Sequence, residues 1–169
     1  MKILAAFLIL AFITTSIAQE KYAYVDVLKI MNSSKLGKQL RNQIEKKFEE
    51  YKKQAETIQK QIQTLKQQLK SPLLSEKAKK EKEEKIRDLE RQIAQLTVEA
   101  QMKLNQMKKQ AEQQLLNKIK AITDNYVKQG KADIVFTDRF GGIILYTDKT
   151  IDLTEKVMKE LDKEVKNTK

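Results

Sequence analysis

Along most of the chain the apolar residues recur at helical spacing, and only near its two ends does the period shorten. Leu36, Leu40, Ile44, Phe48, Tyr51, Ala55, Ile58, Ile62, Leu65 and Leu69 follow one another at steps of three or four. That is a narrow seam of the coiled-coil kind on one long amphipathic helix. Ser71-Pro72 ends it, since proline removes a backbone donor and biases the residue before it away from helix. Ser75 is placed to cap a second helix, whose stripe runs through Ile86, Leu89, Ile93, Leu96, Ala100, Leu104, Met107, Ala111, Leu115, Ile119, Ile122 and Tyr126 until Gly130 stops it. The helices should span roughly 35 and 54 residues, or ~52 and ~81 Å.

A turn centred on residues 73 and 74 sets Leu36 against Ala111, Leu40 against Met107, Tyr51 against Leu96, Ile58 against Leu89 and Leu69 against Ala78. Two separately patterned halves that fall into register predict an antiparallel hairpin. Ala78 is the one apolar residue between Glu76 and Lys85. The seam near Ile62 and Leu65 is therefore expected to be thinly packed, and the tip mobile enough for the arms to open and close around a bulky partner.

The flanking regions read as strands. Tyr22–Leu28 alternates, with Ala23, Val25 and Val27 on one face and Tyr22, Tyr24 and Asp26 on the other. Leu28–Ser34 reads as a connection or a single helical turn. Asp133–Phe136 and Ile143–Tyr146 read as two strands joined through Gly141-Gly142. Asp152-Leu153-Thr154-Glu155 starts a helix that continues through Val157, Met158, Leu161 and Val165. Three short strands and one short helix bury little by themselves, which predicts oligomerisation through the sheets. The stretch from Glu112 to Gln129 has no partner in the first arm and should pack on this body. The reading is an α+β chain: residues 36–111 form a helical hairpin with its tip near 71–75, and residues 19–35 and 112–169 form a β-rich oligomerisation body. Ala23, Val25, Val27, Ile134, Phe136, Ile144 and Tyr146 are the body residues expected to carry the association.

The first eighteen residues follow a different logic. Met1-Lys2 is a short positive end, Ile3–Ile13 an apolar run, and Ser16-Ile17-Ala18 a small-x-small site. This order predicts a secretory signal peptide cleaved after Ala18, since the apolar run is well short of the ~20 residues that span a bilayer. Export exposes a chain to oxidation, and one with no cysteine is indifferent to it.

Among the 169 residues there is no His, Cys or Trp. Thiolate and imidazole metal sites, Cys nucleophiles and histidine acid–base pairs are thereby excluded, so no enzyme, metal or cofactor is expected. Asp133, Asp138, Asp148 and Asp152 cluster in sequence, but their spacing matches no calcium loop and turn or cap roles account for them. Net charge is +11, and the arms hold most of it: 9 Lys and Arg against 4 acids in Leu36–Lys70, and 13 against 9 in Glu76–Gln129. Pairs such as Glu81 with Lys85 absorb part of this, and the excess should attract anionic partners. Met102 and Met107 sit at seam-like spacing and read as core. The arms lack interleaved aromatics and carry no nucleic-acid motif, so nucleic acid is not an expected partner.

Tyr22-Ala23-Tyr24-Val25-Asp26, a long charged hairpin, Ala132-Asp133-Ile134-Val135-Phe136, Gly141-Gly142, Leu145-Tyr146-Thr147-Asp148 and Ile151-Asp152-Leu153-Thr154 together resemble the Skp/OmpH family of periplasmic chaperones. The resemblance implies a homotrimer with a small β-barrel body and three helical tentacles. It further implies an ATP-independent periplasmic holdase that binds unfolded outer-membrane proteins and prevents their aggregation in transit. Some members also carry a lipopolysaccharide-binding basic cluster on the tentacles. The basic residues placed to meet a client, an anionic membrane surface or lipopolysaccharide here are Lys77, Lys79, Lys80, Lys82, Arg87 and Arg91 near the tip, and Lys103, Lys108 and Lys109 on the return arm. The main rival is a structural or tethering coiled-coil protein of the envelope, which should carry an apolar docking patch at the tip. Only Leu73 and Leu74 lie there. The cytosolic prefoldin type of tentacled chaperone is disfavoured by the signal peptide.

Overall fold

The computed structural model describes residues 20–138 and 148–167. The segments expected as a signal peptide, as the Gly141-Gly142 turn and as a strand at Ile143–Tyr146, with Ile144 and Tyr146, lie outside the described residues. The elements are β1 (Tyr22–Asp26), α1 (Val27–Ser33), α2 (Lys35–Gln68), α3 (Glu76–Lys128), β2 (Ile134–Asp138) and α4 (Thr154–Asn167).

β1 is two residues shorter than the alternation suggests, because Asp26 ends it. The Asp26 carboxylate accepts from the Lys29 backbone N–H at 2.7 Å, which caps α1 and makes Val27 helical. The connection or single helical turn expected at Leu28–Ser34 is thus a seven-residue helix, Val27–Ser33. Ser34 then serves two helices at once. Its N–H donates to the Ile30 carbonyl at 2.9 Å, closing α1, and its hydroxyl accepts from the Gly37 N–H at 3.0 Å, opening α2. Gly37 has to be a glycine at this corner, since a Cβ there would lie 2.1 Å from the Met31 carbonyl oxygen.

The two arms meet the expected boundaries closely. Ser75 caps α3 by accepting from the Ala78 N–H, and Gly130 follows α3 with φ of 63°, the left-handed conformation that glycine adopts without penalty. Antiparallel register is fixed by cross-arm contacts: the Tyr51 hydroxyl donates to Glu99 at 3.0 Å, Lys66 pairs with Glu90 at 3.0 Å, and Lys82 donates to Gln68 at 2.6 Å. Between the arms the apolar packing falls into two clusters. The distal one holds Ile62, Ile86 and Leu89, with Ile58, Leu65, Leu69 and Ile93 against them. This corrects the expectation of a thin seam at Ile62: it faces Ile86 rather than the charged stretch nearer the tip, and it is only 2% exposed.

The proximal cluster is the core of the body. It joins Ala23, Val25, Val27 and Ile30 to Leu36 and Leu40 of α2, to Ala111, Leu115, Ile119 and Ile122 of α3, and to Leu153, Val157 and Leu161. The stretch from Glu112 to Gln129 thus packs on the body as its missing arm partner requires. The Tyr126 hydroxyl donates to Glu160 at 2.9 Å and Lys118 pairs with Glu164 at 2.8 Å. Because the arm bases and α1 contribute, one chain encloses more core than its strands and C-terminal helix alone would provide.

β1 and β2 pair in parallel, Tyr22 opposite Ile134 and Tyr24 opposite Phe136. A parallel pair needs a crossover connection, and here the whole arm is that crossover. On its other edge β1 receives an extended segment, with Tyr24 N–H to the Ile151 carbonyl and Leu153 N–H to the Tyr24 carbonyl, both at 2.8 Å. The clustered carboxylates hold these turns together. Asp133 accepts from the Lys21 N–H at 2.7 Å, Asp148 from the Thr150 N–H and hydroxyl, and Asp152 from the Thr154 N–H. The two Thr150 contacts, backbone first, hold the Asp148 carboxyl below its ordinary pKa.

Candidate functional site

Two surfaces lie outside the packed core: the outer face of the sheet and the length of the arms. Strand alternation puts Ala23, Val25 and Val135 inward and Tyr22, Tyr24, Ile134 and Phe136 outward. Of the residues expected to carry association, Ala23, Val25 and Val27 lie in the chain's own core, while Ile134 and Phe136 are 43% and 47% exposed. Tyr22, which was not among those residues, stacks obliquely on Phe136 with ring centroids 6.0 Å apart, and its hydroxyl donates to Glu20. Its pKa is raised, first by that carboxylate. An outward aromatic opposite an inward valine on alternating positions is the sequence signal for this face.

On the arms, Lys77, Lys80, Arg87, Arg91, Lys103, Lys108 and Lys109 are exposed, and Lys79 and Lys82 are half-buried. Lys79 pairs with Glu76 at 2.8 Å, Arg91 pairs with Asp88, and Lys82 is held by Gln68. The pair expected between Glu81 and Lys85 does not form among the described residues. Nor do Lys77, Lys80, Arg87, Lys103, Lys108 or Lys109 enter any ion pair among them. The structure strings these charges along an elongated arm instead of gathering them into one cluster. Exposed helical pairs contribute only tenths of a kcal/mol, ~0.3–0.5 each, so the arms are held by their apolar clusters and the charge is free to act outward.

Between the two clusters the arm is loosely filled. Phe48, Tyr51, Ala55, Leu96, Ala100 and Leu104 line a groove of about 300 Å³, with Phe48 at its rim, 47% exposed rather than in the seam. Small residues at Ala55 and Ala100 leave the ring nothing to close on. Met102, expected in the core, is exposed as well, with Val98 one turn before it. Both fall off the facing row of Leu96, Ala100 and Leu104. An apolar residue out of step with the seam was the available signal. No helix among the described residues is long and apolar enough to cross a membrane.

The model of the family described as outer membrane protein (OmpH-like) matches residues 21–161. The chain belongs to the OmpH-like family. An uncharacterized protein of Aquifex aeolicus (strain VF5) is 36% identical to it over 142 residues, covering 84% of this chain and 86% of that one. The fold is also similar to a crystal structure of an OmpH-like protein from Caulobacter crescentus CB15, a proposed outer membrane chaperone. The TM-score is 0.75 at 11% identity, over 88% of each chain. The fold therefore recurs where little sequence is shared.

Proposed function

We propose that this OmpH-like protein is an ATP-independent holdase of the periplasm, which binds unfolded outer-membrane proteins and keeps them from aggregating on the way to the outer membrane. The observation that carries the reading is the arm itself: a two-helix crossover of 34 and 53 residues whose exposed surface is basic and largely unpaired. Such a surface meets a client through many weak contacts instead of one pocket, so no bound nucleotide or catalytic group is needed. Self-association through Tyr22, Ile134 and Phe136 into a homotrimer would set several arms around one enclosed space, where an unfolded chain is kept away from a second one. Lys77, Lys80, Arg87, Lys108 and Lys109 are the side chains that would meet an acidic client, an anionic membrane surface or lipopolysaccharide. Leu73, 93% exposed at the tip with Leu74 half-buried beside it, makes a poor docking patch for a tether.

The test is light scattering of an outer-membrane barrel protein diluted from urea, with and without this protein, followed by the mass of the complex. A trimer that keeps the client soluble at low salt, and less well as ionic strength shortens the Debye length from ~10 to ~3 Å, supports the reading. A client that aggregates unchanged refutes it.

A further inference from the structure

Val98 and Met102 are left in solvent by the arm, 59% and 68% exposed. With Ala94 they occupy every fourth position on the side of α3 turned away from α2, and with Gln95 and Glu99 they line one shallow depression. Four helical residues advance about 6.0 Å. Side chains on one face of an extended chain repeat every ~6.7 Å. An extended segment laid along α3 therefore brings three successive same-face side chains onto 94, 98 and 102 with an accumulated mismatch of about 1.4 Å.

The strip is also one residue wide, which argues against a helix as its occupant. A helix buries a seam two positions wide, whereas an extended chain needs one apolar row and polar groups for its unpaired backbone. Such groups flank the row: Gln95 on one side, and Gln101 with Asn105 on the other. Charge sets the ends. Between Arg91 and Lys109 the only acid is Glu99, and it already accepts from Tyr51 at 3.0 Å. Arg91, an exposed side chain that also pairs with Asp88, and Lys109 lie on the same helical face as Val98, about 27 Å apart along the axis, the reach of roughly eight extended residues.

We propose that the outer face of α3 from Arg91 to Lys109 is a docking strip for one extended segment of an unfolded polypeptide, with alternating apolar side chains and acidic ends. Strands of membrane β-barrels alternate in this way. The inference rests on the holdase reading and adds to it the pattern that the arm recognises.

The experiment is fluorescence anisotropy with two labelled peptides of about ten residues. In the first, Val and Leu alternate with Thr and an Asp closes each end. The second has the same composition with its apolar residues contiguous. The alternating peptide should bind about tenfold more tightly, and V98S with M102S should remove that preference, with helicity checked by circular dichroism. R91Q with K109Q should weaken the alternating peptide but not a version of it with Asn in place of each Asp, and high salt should do the same. Equal binding of both peptides, or tighter binding of the contiguous one, overturns the proposal. So does a change in the protein's own mass on V98S with M102S, since the strip would then serve a second copy. Aggregation suppression is scored separately: if it persists while the peptide preference is absent, the strip fails and the holdase reading stands.

Discussion

Tyr51 and Glu99 join the two arms by a hydrogen bond, the phenol donating to Oε1 at 3.0 Å, in the stretch where neither apolar cluster reaches. Tyr51 is buried although Phe48 beside it is not, and Lys47 lies over its ring at 5.2 Å. This bond is a polar clasp on the loosest part of the arm. Tyr51→Phe keeps the ring and removes the clasp, and Glu99 is exposed enough to find water. The expected cost is about 1 kcal/mol, confined to hydrogen-exchange protection of the middle of α2 and α3. A uniform loss over the whole chain would mean that the arm opens only together with the body.

Ile62→Ala tests the distal cluster against the proximal one. Ile62 is among the most buried side chains, and its replacement leaves a cavity beside Ile86 and Leu89. Loss of about 3 kcal/mol is expected in the distal arm. Protection of Leu115 and Leu161 amides should be unchanged, because those residues belong to the other cluster. Leu115→Ala should do the reverse, lowering the thermal midpoint of the body.

The arms were legible in the sequence because their signals are local and repeated: the seam, Ser75, Pro72 and Gly130 each act within a few residues. The body was legible only in part. Nothing near Asp26 distinguishes a strand residue from a helix cap until Thr154 arrives from far along the chain, its hydroxyl accepting from the Asp26 N–H at 2.9 Å. The parallel pairing of β1 with β2 and the bridge to Asp152 are likewise set by distant segments. The candidate surfaces show the same division. Lysines along the arm and the out-of-step Met102 could be read off directly, whereas the exposure of Phe48 depends on the small residues that face it, Ala55 and Ala100.

Gly37 and Gly130 should respond in opposite proportion to their surroundings. At Gly37 the obstruction is backbone, the Met31 carbonyl, and neither helix can yield without breaking the Ser34 hydroxyl bond to the Gly37 N–H. Gly37→Ala is expected to cost about 3 kcal/mol in chemical denaturation. At Gly130 there is open space and only the positive φ to resist, so Gly130→Ala should cost about 1–2 kcal/mol. Equal costs would show that α1 and α2 can separate at their corner.

Tyr126 links stability to pH. Burial first, and then its bond to Glu160, raise the phenol's pKa above the ordinary tyrosine value. A proton held more tightly in the folded chain contributes stability that is complete below the unfolded pKa of ~10 and is lost as pH rises through the higher folded value. Ultraviolet titration should therefore show Tyr126 ionising late, and denaturation midpoints should fall on the alkaline side. Tyr126→Phe should flatten that fall, while an unchanged alkaline profile would place the linkage elsewhere.

Association through the outer sheet face can be separated from folding because its side chains are not those of the core. Phe136 and Ile134 are half exposed, stack or align with Tyr22, and leave Ala23 and Val25 to hold the protomer together. Ile134→Thr with Phe136→Thr removes apolar area while keeping residues suited to a strand. If this face joins the subunits, association should weaken by about tenfold or more, and light scattering should report single chains at dilutions where the parent is oligomeric. Circular dichroism should be nearly unchanged, since α1, the arm bases and α4 still close the core. Aggregation suppression should fall with the mass, because one arm offers contacts but encloses no space. An oligomer that survives both substitutions would assign the interface to another surface.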